Sequence, residues 1–374
     1  MRIPLLENTA TLVGTIIGAG VLGIPYTAAV AGFWVTTAYI ISLGLMMLLI
    51  NLMLGEVVLR TKGHHQLAGL ANIHLGKTGK YLTIISMFVG INGAMAAYTI
   101  GIGETFAALL KISPVIHAVI FYLLVMFIVW HNLEFLEISE LVTEVIKITA
   151  FAIIFIASVN TPYFSLTNIN IVHWSKIYYP FGIVLFALIG TAAIPELYLS
   201  LKDNLSYFKK TIIIGSTIPI ILYILFVIAI YGISKQNTQP VATINLAQIS
   251  MIAAIAGNTF AVFAIFSSAI ALAFFLKEMY QYDFKLRKTT GWLLTFIPPL
   301  IILTTTTSFT IVLSIAGAIA GSIEILIILA MHTKSKQTTK TKPHYTINTP
   351  QTIKTIIAII CIIGMISTIA ELLI

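Results

Sequence analysis

The sequence predicts an all-α polytopic membrane protein, and two features of composition carry this prediction. Of its 374 residues, 59% are hydrophobic and only 9% are charged, whereas soluble domains average about 25% charged residues. The mean hydropathy is +1.01, and the apolar runs have the length of membrane helices rather than of barrel strands. A soluble domain is therefore excluded, and the lipid bilayer is the first predicted partner.

Hydropathy divides the chain into about eleven spans, which predict one transmembrane domain with short connections. The spans cover residues 9–30, 33–55, 80–110, 114–131, 139–159, 179–200, 210–233, 246–276, 290–306, 309–331 and 352–373. The longest inner segments are Arg60–Lys77 and Met331–Gln351, and the second is Lys/Thr-rich, which is typical of mobile chain.

The distribution of basic residues predicts the orientation. With a cytoplasmic N-terminus, 17 of the 21 lysine and arginine residues fall on the inner side, three on the outer side, and Lys147 lies within a span. This asymmetry follows the positive-inside rule, so the C-terminus is expected outside. We expect a multi-pass protein of the plasma membrane. Because the inner loops account for the net charge of +8, no nucleic-acid partner is predicted.

Two spans are interrupted by glycine and proline. The first interruption runs from Gly14 to Pro25 and the second from Gly190 to Pro195. A glycine inside a helix costs about 1 kcal/mol relative to alanine, and a backbone group left unpaired in hydrocarbon costs several kcal/mol. Such breaks are therefore expected to face a cavity. Two of them at matching places in two halves of a membrane protein are typical of a transporter binding site.

Depth in the bilayer brings four sets of residues together. A rise of 1.5 Å per residue through a core of about 30 Å places residues 17–20 and Gly190 about 12–16 Å deep. The same arithmetic places Lys147, Ser267 and Ser268 about 12–14 Å deep. Amide groups at a helix start attract a carboxylate, and carbonyl groups at a helix end attract an ammonium or a cation. The predicted substrate is therefore an amino acid.

Four motifs carry a resemblance to a known family. They are GAGVLGIPY at 18–26, GIGE at 101–104, FALIG through IPE at 186–196, and FIPP at 296–299. The chain resembles the amino acid/auxin permease family, near the aromatic and hydroxy amino acid permeases of the amino acid–polyamine–organocation superfamily.

The resemblance implies a leucine-transporter-type fold. It divides a single transporter domain, residues 1–373, into two inverted five-helix repeats at about 9–159 and 179–331, with a peripheral helix at about 352–373. Each predicted helix break lies in the first span of its repeat.

The resemblance also implies a substrate site. Gly18, Ala19 and Gly20 would offer amides to the substrate carboxylate, and carbonyls around Phe186 and Ile189 would receive its amino group. Phe186 is a candidate aromatic gate, while Tyr98 closes the site or has a packing role. The predicted substrate site comprises Gly18, Ala19, Gly20, Tyr98, Phe186, Ile189, Gly190 and Thr191.

The coupling ion has two candidates by the same resemblance. The carbonyls of Gly14 and Ile17, with Ser267 and Ser268, match a conserved sodium position, and Lys147 matches a lysine that replaces sodium in proton-coupled members. Proton coupling is the prediction and sodium coupling the alternative; no cofactor or other metal is expected. Two structural alternatives remain, since Lys147 can pair with Glu144 and the serines can bond back to the preceding helical turn.

The predicted function is secondary active transport of a neutral amino acid by alternating access. Neutral substrates are favoured because no acidic group is expected beside Ala19, Tyr98, Phe186, Thr191 and Ala192. Two further glutamates in apolar spans, Glu104 and Glu324, line the cavity or pair between helices. A non-transporting amino-acid sensor on the same fold is an alternative. An intramembrane enzyme is disfavoured because the sequence has no His-Glu-x-x-His or Gly-x-Ser-x-Gly motif. No oligomeric state is predicted.

Overall fold

The computed structural model describes residues 4–63, 65–131, 139–167, 169–282, 284–306, 308–338 and 342–373, and all regular structure within them is helical. This confirms the all-α class. The α-helices are α1 Pro4–Ile16, α2 Ile24–Ala31, α3 Phe33–Arg60, α4 Leu67–Leu110, α5 Pro114–His131, α6 Ser139–Val159, α7 Pro180–Leu188, α8 Ala193–Ser200, α9 Phe208–Ser234, α10 Met251–Tyr282, α11 Lys288–Thr305, α12 Phe309–Ile315, α13 Ser322–Thr338 and α14 Gln351–Leu373.

The helices have the length and composition of a polytopic membrane protein. Within the described ranges, nine are long and apolar enough to cross a membrane, and the bent pair Leu5–Ile16 and Ala19–Ala31 makes a tenth. Helix α11 lies where the span 290–306 was predicted but is outside this set. It has 18 residues, and its polar first turn and two internal prolines make it less apolar than the others.

The outer helices present apolar side chains outward. Val115, Ile120 and Leu123 of α5 are each more than half exposed, as is Ile366 of α14. In water such a surface would be unfavourable, but in a bilayer it contacts lipid chains. These side chains are consistent with the predicted bilayer partner.

The two broken spans lie at the centre of the helix packing. Helix α1 packs against α9, and α9 packs also against α3. Helix α10 packs against α6 and α4, and α13 packs against α4. Helix α7 packs against a π-helix, Ala316–Gly321, which joins α12 to α13.

The first break separates α1 from α2 and includes a 3₁₀-helix, Ala19–Gly23. The two halves are bent by 48°. Glycine is required here because of a close approach: a Cβ atom at Gly20 would lie 2.9 Å from the Cα of Ala187 in α7. The prediction of a broken first span is confirmed, and the break brings the two interrupted spans into contact.

The second break separates α7 from α8. Helix α7 ends at Leu188, and Ile189 is extended (φ −70°, ψ 124°). A Cβ atom at Gly190 would collide with the side chain of Ile16, the last residue of α1. Pro195 lies in the first turn of α8, where its missing N–H leaves no helical bond unmade.

Two segments predicted as loops have more structure than expected. Helix α4 begins at Leu67, inside the predicted loop Arg60–Lys77, and turns sharply at Gly76 (φ 73°, ψ −165°) before crossing the bundle. Helix α13 continues to Thr338, and residues 342–350, called the strap below, make defined contacts with α3. The strap therefore differs from the mobile chain that its composition predicts.

Candidate functional site

A cavity of about 550 Å³ lies between the two helix breaks. Its volume is within the range of about 300–1,000 Å³ that is usual for small-molecule sites. Of the predicted site residues, Ile17, Ala19 and Lys147 are not among those that line it. The others do line it: Gly14, Gly18, Gly20, Tyr98, Phe186, Ile189, Gly190, Thr191, Ser267 and Ser268.

The breaks supply backbone donors and acceptors to this cavity. The 3₁₀-helix begins at Ala19, so its first amides have no partner within the helix. Helix α7 ends at Leu188, so the Leu188 carbonyl has no partner within the helix, whereas the Phe186 carbonyl accepts from the Ile189 amide. Ala19 has a fully buried side chain, and its predicted role concerns the amide alone. Donors on one break and acceptors on the other can hold the two charged ends of a zwitterion.

Tyr223 of α9 joins the two breaks, which the sequence analysis did not foresee. Its hydroxyl lies 2.9 Å from the carbonyl oxygen of Ile16 and 2.7 Å from that of Ala187. The side chain is 1% exposed. A hydroxyl has one proton to donate, so the two carbonyls share it, and the Ile16 carbonyl accepts also from the Gly18 amide at 2.9 Å. A tyrosine in the middle of an apolar span was the available signal.

Lys147 of α6 binds the end of α1 without lining the cavity. Its ammonium nitrogen donates to the carbonyl of Ile17 at 3.2 Å and forms an ion pair with Glu144. The Glu144 carboxyl fills the space beside Gly14, where a Cβ atom would lie 2.5 Å from the carboxyl carbon. Lys147 thus makes both contacts considered for it, the ion pair with Glu144 and the hydrogen bond to the first break.

The two serines of α10 have different partners. Ser267 donates back to the carbonyl of Phe263 at 2.8 Å. Ser268 and the Tyr98 hydroxyl both lie beside Gly18, where a Cβ atom would be 2.8 Å from the Ser268 oxygen and 3.8 Å from the Tyr98 oxygen. The Tyr98 ring in turn meets Phe186 edge to face, with centroids 6.3 Å apart. Tyr98 and Phe186 therefore form one aromatic edge of the cavity.

The structure corrects the expectation that no acidic group lies near the site. Glu324, in the first turn of α13, lines the cavity and accepts a hydrogen bond from the hydroxyl of Thr191. It reaches the second break because the preceding π-helix packs against α7. Glu104 is not among the lining residues.

In the part of the chain that the structure describes, exposed residues line the cavity at one end of the bundle. At what we call the Glu7 end, its lining includes Glu7 and Thr11, which are exposed. At the opposite end, called the Tyr179 end, the ring of Tyr26 meets that of Tyr179 at 6.1 Å, and the Tyr179 hydroxyl donates to Thr310 at 3.2 Å. The structure is therefore open at the Glu7 end and closed at the Tyr179 end.

Comparison with known proteins identifies the family. The tryptophan/tyrosine permease family matches residues 2–369. The chain is 27% identical over 238 residues to a Haemophilus influenzae protein described as tyrosine-specific transport system 1, which covers 62% of this chain and 58% of that one. It is 25% identical over 230 residues to the Arabidopsis thaliana amino acid transporter AVT1H, covering 57% and 52%.

The matches therefore span somewhat more than half the length of these curated relatives. The family match covers nearly the whole chain and confirms the resemblance drawn from the four motifs. It also indicates a membrane transporter rather than an enzyme. The chain belongs to the tryptophan/tyrosine permease family.

Proposed function

We propose that the chain is a secondary active transporter that carries an amino acid across the membrane by alternating access. The observation that carries this proposal is the cavity between the two breaks, open at the Glu7 end and closed at the Tyr179 end. A site reached from one side at a time is what alternating access requires. With the predicted orientation, the structure corresponds to a state open to the cytoplasm.

We propose a neutral amino acid with an aromatic side chain as substrate. The description of the Haemophilus influenzae relative and the family name support this class. The substrate carboxylate would bind the amides of Ala19 and Gly20, since the Gly18 amide already donates to the Ile16 carbonyl at 2.9 Å. The substrate ammonium would bind the carbonyls near Ile189. The edge formed by Tyr98 and Phe186 offers a ring a contact of the aromatic–aromatic kind.

We propose the proton as the coupling ion, with Lys147 as the group that carries it. The lysine ammonium contacts the Ile17 carbonyl, one of the oxygens predicted for sodium, and Ser267 is turned away toward Phe263. Buried lysines can lose their proton at accessible pH. Deprotonation would release the Ile17 carbonyl and remove the ion pair with Glu144, so the protonation state is linked to the geometry of the first break.

Uptake into proteoliposomes tests the proposal. Labelled tyrosine, tryptophan and phenylalanine are offered to vesicles with an inward gradient of protons or of sodium. Accumulation driven by protons and independent of sodium is the expected result. Accumulation that requires sodium would instead assign the ion site to Gly14, Ile17, Ser267 and Ser268. Binding without accumulation under either gradient would identify a sensor and contradict transport.

A further inference from the structure

One wall of the cavity is built from small residues. It consists of Gly90 and Ala94 of α4 with Ala316, Ala320 and Gly321 of the π-helix, all of which line the cavity. The two elements touch directly, since a Cβ atom at Gly90 would lie 3.0 Å from the Cβ of Ala320. Side chains this short leave a flat surface on the cavity side. We call these five residues the small-residue wall.

One carbonyl group of the π-helix in this wall, that of Ala320, already has a side-chain donor. The hydroxyl of Ser86 donates to the carbonyl of Ala320 at 2.7 Å. A π-helix inside a longer helix often marks a functional site. Here it sets the position of the next turn, because Glu324 follows Gly321 by three residues and therefore lies on the same face of the helix.

The Glu324 carboxyl has one protein donor in the described structure. Thr191, which is 1% exposed, binds one of its oxygens. The ion pairs of the described residues involve Glu56, Glu144 and Glu371, and none includes Glu324. An ionised carboxyl can accept about four hydrogen bonds, and leaving a carboxylate without donors in an apolar setting is costly. The free acceptor capacity of Glu324 is directed into the cavity that it lines.

The other glutamates of the cavity are placed differently. Glu144 is paired with Lys147, and Glu7 is exposed at the mouth of the cavity. Glu324 is thus the carboxyl that combines contact with the second break and a position beside the small-residue wall. If the aromatic ring of a substrate lay along that wall, the end of the ring would lie beside the Glu324 carboxyl.

We infer that Glu324, positioned by Thr191, selects substrates whose aromatic side chain ends in a hydrogen-bond donor. Phenol O–H and indole N–H groups fit this description, whereas the unsubstituted ring of phenylalanine does not. The inference rests on the proposed transport function and deepens it. A site built to hydrogen-bond a substrate group strongly rejects an analogue without it, because the buried acceptor is then left unpaired.

The first experiment uses the unmodified chain in proteoliposomes and two matched substrate pairs. Tyrosine is compared with phenylalanine, and tryptophan with 1-methyltryptophan, so that each pair differs at the proposed donor. We expect uptake, as kcat/KM, to be at least tenfold higher for the donor-bearing member of each pair. Equal uptake within both pairs would overturn the inference while leaving transport established. Uptake of other amino acids only would do the same, and no uptake at all would overturn transport as well.

The second experiment assigns the selection to Glu324. Glu324→Gln keeps the size of the side chain but removes the charge, and Glu104→Gln is the matched control on a glutamate that is not among the lining residues. We expect Glu324→Gln to lower tyrosine uptake about tenfold and leave phenylalanine uptake within about twofold, whereas Glu104→Gln keeps the wild-type ratio. Retained phenylalanine uptake also shows that the variant is folded.

Two results would contradict the assignment. If the ratio of tyrosine uptake to phenylalanine uptake is unchanged in Glu324→Gln, another group must bind the donor on the ring. An equal fall for both substrates would show that Glu324 binds a group common to all amino acids, such as the ammonium. If Glu324→Gln is not recovered folded, Thr191→Ser and Thr191→Val provide the second comparison, in which the serine keeps the donor to Glu324. We expect only the valine variant to lose its preference for tyrosine over phenylalanine. The same ratio of tyrosine uptake to phenylalanine uptake in the two Thr191 variants would overturn the inference.

Discussion

At the scale of single residues, the contact of Lys147 with the Ile17 carbonyl is the one on which the proposed proton coupling depends. Replacing both members of its ion pair, as Lys147→Met with Glu144→Gln, avoids leaving one buried charge uncompensated, which costs about 3–5 kcal/mol. We expect this double variant to lose proton-driven accumulation at least tenfold while exchange of internal for external substrate persists. The measurement is uptake with and without a pH gradient in the same vesicles.

The control for this prediction is Lys277→Met. Lys277 is also a buried lysine that donates to a backbone carbonyl, that of Val129 at 2.9 Å, but this carbonyl belongs to α5 and not to a helix break. Its substitution should leave the ratio of driven uptake to exchange unchanged. Intact proton-driven accumulation in the Lys147 variant would rule out this lysine as the coupling group.

Tyr223 is the residue that ties the two breaks together. Tyr223→Phe removes the hydroxyl shared by the carbonyls of Ile16 and Ala187. The Ile16 carbonyl keeps the Gly18 amide as a donor, but the Ala187 carbonyl loses the hydroxyl. An unsatisfied buried acceptor costs about 1–3 kcal/mol, so we expect a lower Tm and a raised KM. Tyr231→Phe is the control, because Tyr231 is equally buried two turns later on α9. Similar effects of the two substitutions would mean that the Tyr223 hydroxyl has no special role.

Gly20 limits how closely the two broken spans approach. In Gly20→Ala the added methyl group would meet the backbone of Ala187 at 2.9 Å, and overpacking of this kind costs about 1–3 kcal/mol. We therefore expect at least tenfold weaker substrate binding, measured by equilibrium dialysis of the purified protein. Gly291→Ala, whose nearest neighbour would be 3.3 Å away, should bind normally. Normal binding by Gly20→Ala would argue against a site at this contact.

At the scale of elements, the strap is fixed to the bundle by one buried carboxyl. Glu56 of α3 is fully buried, and its Oε2 accepts from the Ile347 amide at 2.6 Å and lies 3.0 Å from His332 Nε2. Tyr345 of the strap donates to the Leu52 carbonyl, and burial raises the pKa of this hydroxyl, so it remains a donor across the usual pH range. The strap therefore links α3 to the connection before α14.

Glu56→Gln is expected to release the strap. The Ile347 amide and His332 share one carboxylate oxygen, and Arg60 binds the other. A glutamine carries no charge and accepts at one atom only, so the strap competes with Arg60 for that acceptor. We expect a lower Tm and faster proteolysis within residues 342–350, detected by mass spectrometry. Glu196→Gln is the control, since Glu196 is exposed. Equal protection of the segment in both variants would show that Glu56 does not hold it.

The elements also show which features a sequence can predict. The two breaks follow from glycine and proline within a few residues, a local signal that acts on helix stability wherever it occurs. The strap and the Tyr223 contacts join residues far apart in the chain: Ile347 and Glu56 are separated by 291 positions, and Tyr223 and Ile16 by 207. No local pattern encodes such pairs, because they depend on how whole helices pack.

Glu324 is an intermediate case. Its position in an apolar span marked it as a residue with a polar role, since charged groups inside a bilayer are expensive. Whether it lined the cavity or paired between helices depended on the rotation of α13, which the π-helix sets. A π-helix has no strong sequence signature, so the orientation could only come from the structure.

At the scale of the whole molecule, one-sided access predicts one-sided chemical labelling. Thr15 is exposed and lines the cavity, whereas Thr310 is 2% exposed at the Tyr179 end. The native Cys361 is fully buried, which keeps the background low. We expect Thr15→Cys to react with a membrane-impermeant thiol reagent added on one side only, and Thr310→Cys to be protected until substrate and a proton gradient are supplied.

The result that would contradict this prediction is labelling of Thr310→Cys from its own side at full rate in the resting protein. It would mean that the Tyr179 end is open while the Glu7 end is open, which is a channel rather than a carrier. Labelling from each side of oriented vesicles also tests the predicted placement of the N-terminus in the cytoplasm.

The packing of the Tyr179 end has a consequence for the membrane as a whole. Helices there meet through glycine: a Cβ atom at Gly317 would lie 2.7 Å from the Cβ of Phe186, and one at Gly23 would lie 3.2 Å from the Ile183 side chain. Contacts this close leave too little space for a file of water molecules, which protons need in order to hop across. With the proton coupling proposed above, an idle carrier in this state would not dissipate the proton gradient, so a cell could keep many copies in its membrane at little energetic cost.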